Sequence, residues 1–178
     1  MHPDLHFFFP SKSVNSKKSS SKELFSDFRE IILKDPYIEP EDWYQSMGMK
    51  SAGEIRVSDA RVINKIANLR SYEGEYKVFI IWCPEKMNNE ANNKLLKNIE
   101  EPHPKTIFLL ISEHSHLIIP TILSRLQTKV FKKIPTTIIV NELKLLYPDL
   151  NHDKALKIID QYDNNYNQIR KEISGKLK

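Results

Sequence analysis

The chain has 178 residues, 40% of them hydrophobic and 28% charged, with a formal net charge of +4. That is enough apolar material for one ordinary domain, or one domain with a small appendage. No apolar run approaches the roughly 20 residues of a transmembrane helix, so no membrane is expected.

The single cysteine, Cys83, excludes an internal disulfide and fits a reducing cytosol. Four glycines argue against a Gly-rich cofactor loop. The positive balance permits contact with nucleic acid without establishing it. The opening MHPDLHFFFP has neither the basic leader nor the small-residue cleavage site of a signal peptide, and a cytoplasmic location is expected.

In chain order, the apolar run 5–9 (LHFFF), stopped by Pro10, predicts a strand. Residues 11–22 (SKSVNSKKSSSK) are low-complexity and basic and read as a solvated linker. Over 23–34, Leu24, Phe28, Ile31 and Ile32 fall on one helical face, with Asp35-Pro36 as the stop. The stretch 37–52 carries Trp43 and Tyr44 in a proline-interrupted setting, a short helix or turn whose aromatics are expected in the core. Ile55 and Val57 suggest a short extended piece. Ser58 is then expected to cap a helix buried along Val62, Ile63, Ile66 and Leu69.

The run 78–82 predicts a strand covered on both faces. Asn88 or Asn89 caps a helix with Ala91, Leu95, Leu96 and Ile99 inward, and Pro102 ends it. A second apolar run, 107–111, completes a βαβ unit. Pro120 suits the first turn of a short helix ending near Arg125. Residues 129–134 resemble a third strand closed by Pro135. The remainder is helical in pattern: Ile138, Ile139, Leu143 and Leu146, then Ala155, Leu156, Ile158 and Ile159 after a cap near Asn151 or His152, then Ile169 and Ile173.

Three segments carry a resemblance: YEGEYKVFII (72–81), NKLLKNIEEP (93–102) and PTILSRLQ (120–127). They resemble the AAA+ core of bacterial DNA polymerase III clamp-loader subunits, the delta-prime family above all. They match its strand before Walker B, its N-x-L-L-K-x-x-E-E-P helix and its S-R-C segment. HPDLHFFFP is similar to that family's H-P-D-x-H strand, which follows a four-cysteine zinc module. The fold implied is α/β: a partial three-layer P-loop NTPase (AAA+) core with a parallel sheet over 1–135, followed by a small helical lid over 136–178.

The departures bear on function. The chain holds no Walker A loop to grip phosphates. Trp82 and Cys83 stand where an ATPase needs acidic residues for magnesium and the attacking water. The sensor position falls near Ser112 and Glu113. DNNYNQIR resembles the lid's D-G-N-x-x-R segment with Gln168 at the arginine position. The resemblance therefore implies a subunit that does not hydrolyse ATP and holds no cofactor or metal.

Arg125, paired with Ser124, is a separate matter. In the family this arginine reaches a neighbouring subunit's ATP site, as a fixed cation where charge builds on the transferred phosphoryl group. The plain alternative is a helix-end arginine serving the dipole. The implied partners are the ATPase motor subunits and, through the assembly, the sliding clamp and primed DNA. The rival reading is a degenerate AAA+ interaction module with another partner.

Other candidates carry less. His114 and His116 with Cys83 lack a metal-site pattern, Cys83 lacks a base, and Glu100-Glu101 oppose the dipole at a helix C-terminus, hinting at a structural or interface demand. Since the family's Walker A strand lies mid-sheet, the strand near Val130 is expected to move in against 107–111, or two chains to associate.

Overall fold

The structure is a computed structural model and describes residues 2–12, 20–49 and 51–175. The middle of the basic linker, 13–19, lies outside the described residues. Its ends are anchored instead of solvated. Ser11 bridges Glu54 through paired backbone bonds of 3.0 Å. Buried Ser21 gives its hydroxyl to the Phe9 carbonyl at 2.9 Å and its N–H to Asp59 at 3.0 Å.

The first compact unit spans Met1–Pro36 and Pro40–Thr128. It is built on three parallel strands in the order β1 (Leu5–Phe8), β2 (Lys77–Trp82), β3 (Thr106–Ile111). Parallel neighbours need crossovers. The one between β1 and β2 holds α1 (Phe25–Lys34), α2 (Pro40–Ser46) and α3 (Val57–Ala67). The one between β2 and β3 holds α4 (Asn89–Glu100), with α5 (Pro120–Leu123) after β3.

Side chains alternate across the sheet. Phe8, Phe79 and Ile81 share one core with Ile63 of α3 and Leu95 of α4. Phe79 stacks on Phe108 at 4.9 Å. Burying an aliphatic side chain of this kind contributes about 2 kcal/mol.

On the opposite face α1 covers only β1 and β2: Phe25 meets Phe7 at 5.9 Å and Phe28 meets Trp82 at 5.4 Å. Ile107, Leu109 and Ile111 on that face of β3 are exposed, so this second apolar run packs against the core from one side, through Phe108 and Leu110.

Several local expectations change. Val57 opens α3 instead of continuing an extended piece. The return half of a capping box explains this: Asp59 accepts from the Arg56 N–H at 3.1 Å, which leaves Ser58 inside the first turn and not at the cap. Leu69 lies beyond α3 and is exposed. The strand expected near Val130 is absent: residues 127–135 carry no strand assignment, and Val130 and Phe131 are 78% and 86% exposed. Among the described residues the sheet has three strands, and none comes from this segment.

The second unit comprises Tyr37–Glu39 and Lys129–Lys178. α6 (Thr136–Leu146), α7 (His152–Gln161) and α8 (Tyr166–Ile173) enclose Ile139, Leu143, Ile159 and Ile169. Asn151 caps α7, accepting from the Asp153 N–H at 2.8 Å. Ile138 and Leu146 of the same helical pattern are exposed. Glu39 accepts from Asn165 at 2.7 Å and from Gln168 at 3.0 Å, so the glutamine at the family's arginine position has a structural partner. Arg170 lies 5.3 Å from the ring centres of both Tyr37 and Tyr166.

Candidate functional site

α5 begins at Pro120, whose missing N–H costs nothing at a helix start. Buried Ile122 pins this single turn to the core, and Leu126 packs against the same cluster. The turn then delivers Ser124 and Arg125 to the surface. Both reach back to one carbonyl that the short helix leaves open: Arg125 Nη1 donates to Thr121 O at 2.7 Å, and Ser124 Oγ does so at 3.3 Å.

The rest of the guanidinium is gripped by Glu100 at the end of α4. Nε lies 3.1 Å from Oε2 and Nη2 lies 3.2 Å from Oε1. This is the two-pronged geometry by which arginine holds planar oxyanions. With side chains 32% and 52% exposed, the pair contributes little to stability. Its effect is to hold the guanidinium in one orientation, pointed at an oxyanion. The sequence marked Glu100 as an acid opposing the helix dipole, with a structural or interface demand on it, but did not name Arg125 as its partner.

The corner at the end of β2 holds Trp82 and Cys83. Cys83 follows β2 with φ 55°, a left-handed conformation unusual for a residue with a side chain. Its thiol is buried, and burial above all, with Glu85 and Glu113 nearby, pushes its pKa up, so it is neutral. Trp82 packs on Phe28. Ser112 donates to Glu85 at 2.7 Å and accepts from the His114 N–H at 3.0 Å, so it serves the turn after β3.

His114 and His116 stack edge to face at 5.9 Å. Among the described residues no group of three His, Cys, Asp or Glu side chains is placed to hold a metal ion. Trp43 is fully buried; its indole donates to Pro10 O at 2.8 Å and its ring meets Phe9 and Phe28 edge-on at 5.2 Å each.

Residues 1–135 match the family described as "DNA polymerase III, delta subunit". The chain belongs to that family. Among relatives of this DNA polymerase III family, the delta' subunit of Haemophilus influenzae is 33% identical over 84 residues, 47% of this chain and 26% of the relative. That of Bacillus subtilis is 33% identical over 110 residues, covering 62% and 33%. That of Pseudomonas aeruginosa is 39% identical over 71 residues, covering 40% and 22%.

The chain thus spans about a fifth to a third of the length of these relatives. A solved DNA polymerase III gamma subunit-related protein of Thermotoga maritima superposes with a TM-score of 0.48 at 24% identity, over 68% of this chain and 41% of that one. The architecture of the first unit is mixed α/β on a three-stranded parallel sheet. No helix among the described residues is long and apolar enough to cross a membrane.

Proposed function

We propose that this chain is part of a delta-prime-like clamp-loader subunit that does not hydrolyse ATP and offers Arg125 to the ATP site of an adjacent motor subunit. Its partners are then the ATPase subunits and, through the assembly, the sliding clamp and primed DNA, in the cytoplasm. The observation that carries the reading is the surface-placed, oxyanion-holding fork of Arg125, 3.1 and 3.2 Å from the Glu100 carboxylate.

A triphosphate oxygen has the same acceptor chemistry as that carboxylate and develops more charge during transfer. The non-hydrolysing part of the proposal is supported by Trp82 and by the buried neutral Cys83 at the end of β2. Neither offers a carboxylate to magnesium or to an attacking water. The lobes 1–135 and 136–178 would act as AAA+ core and lid.

One observation favours the rival reading of an interaction module. Arg125 already has partners on all three nitrogens, in Thr121 and Glu100. The test is Arg125→Ala in the full loader assembly, reading single-site ATP turnover by the motor subunits. Loss of about a thousandfold at the site served by Arg125 is expected, and an unchanged rate leaves the module.

A further inference from the structure

A guanidinium has five N–H groups, and those of Arg125 are unevenly used. Glu100 takes the edge formed by Nε and Nη2, at 3.1 and 3.2 Å, and Thr121 O takes one hydrogen of Nη1 at 2.7 Å. One N–H on each terminal nitrogen is left with no partner among the described residues. The two remaining donors sit at the outer end of the group, beside the edge that Glu100 fills.

Both holds are built into the core. Glu100 ends α4, whose Leu95 and Ile99 are buried in the same cluster as Ile122 of α5. Past Leu123 the backbone tightens: Ser124 N–H reaches Pro120 O at 2.9 Å, and Arg125 N–H reaches Ile122 O at 3.0 Å. Thr121 O is passed over by the backbone and so accepts from the side chains of Arg125 and Ser124.

We propose that Glu100 is a positioning residue for Arg125, staying bound while the outer donors receive the oxyanion; this rests on the reading above that Arg125 serves an ATP site. The other thing a carboxylate can do to an arginine is to latch it away from its ligand. The pair is too weak for that. With side chains 32% and 52% exposed, it shifts an equilibrium by about fivefold at most. Such a latch would barely gate a step that the arginine accelerates about a thousandfold. Orientation has no such ceiling. The oxyanion need not displace Glu100, and a long side chain already fixed has less freedom to lose when the reaction begins.

A double-mutant cycle in the full loader assembly tests this, reading kcat and KM for ATP at the motor site that Arg125 serves, with gel filtration to verify assembly. Glu100→Ala should lower kcat about tenfold and leave KM within about twofold, because the charge that Arg125 meets develops during transfer. In an Arg125→Ala background the same change should have no further effect beyond about twofold. A merely structural role would cost as much in both backgrounds. Equal losses in both, a Glu100→Ala assembly as fast as the parent, or a faster one would each overturn the proposal while leaving the role of Arg125 intact. If Arg125→Ala is itself without effect, the role of Arg125 and the proposal fall together.

Discussion

Asp4 shows what one buried carboxylate does in this fold. Its oxygens accept from the N–H groups of Tyr72, Glu73 and Gly74 at 2.6, 2.9 and 2.7 Å, tying the start of β1 to the loop before β2. A Cβ at Gly74 would stand 3.2 Å from Asp4 Oδ2, a close contact that a side chain there would have to push aside by a few tenths of an ångström. The N–H groups, Gly74 and Tyr72 foremost, hold the carboxyl down to about 2 from its ordinary 3.8. The folded state therefore binds this proton less tightly than the unfolded state does. The stabilisation is complete above the ordinary value and is lost as pH falls toward 2. Asp4→Asn should lower Tm by several degrees at neutral pH and flatten its decline across that acid window, as thermal melts in a pH series will reveal. Cys83 offers a second residue-level test. Buried and neutral, it should resist thiol reagents such as Ellman's in the native chain and react fully only in denaturant; rapid native labelling would contradict its placement.

At the scale of elements, α4 was legible end to end because its signals are local. Asn88 accepts from the Ala91 N–H at 2.9 Å, and Ala91, Leu95 and Ile99 lie one helical face apart, all buried. Asn88→Ala should cost about 1 kcal/mol and Leu95→Ala about 2–5 kcal/mol, both read from urea unfolding. α3 begins about half a turn before the start that a cap at Ser58 implies, because Asp59 caps from inside the helix. Lys77 could not be read at all. It sits in an apolar run, yet its ammonium is buried and reaches the carbonyls of Ile66 at 2.7 Å and of Leu69, closing the C-terminal end of α3. Lys77→Met should strip these caps and lower stability by about 1–3 kcal/mol. The joint of α4 and α5 has a functional test. Glu100→Gln keeps a hydrogen-bonding carbonyl but removes the charge that holds Arg125. If Glu100 is only a holder, the variant should change motor turnover far less than Arg125→Ala does.

At the scale of the whole molecule, the two units have separate cores, Phe79, Ile81 and Leu95 in one and Ile139, Leu143 and Ile159 in the other. Leu143→Ala should raise amide exchange first across α6, α7 and α8, which hydrogen-exchange mass spectrometry resolves. The sheet order β1-β2-β3 and the absent ladder at 127–135 could not be foreseen from apolar runs. The run 107–111 is wholly apolar and pairs with β2, whereas 129–134 carries three lysines and joins no sheet.

The sequence by itself determined the type and approximate span of β1, β2, β3, α1, α4 and α5, and the family, because periodicity, proline stops and asparagine caps act over a few residues. It also carried Ser124 and Arg125 as a motif. The tertiary structure alone decided that Glu100 holds Arg125, that Lys77 caps α3, and that the sheet runs in the order β1-β2-β3. Each of these joins groups distant in the chain, and their distances are fixed only when the sheet and its helices have packed.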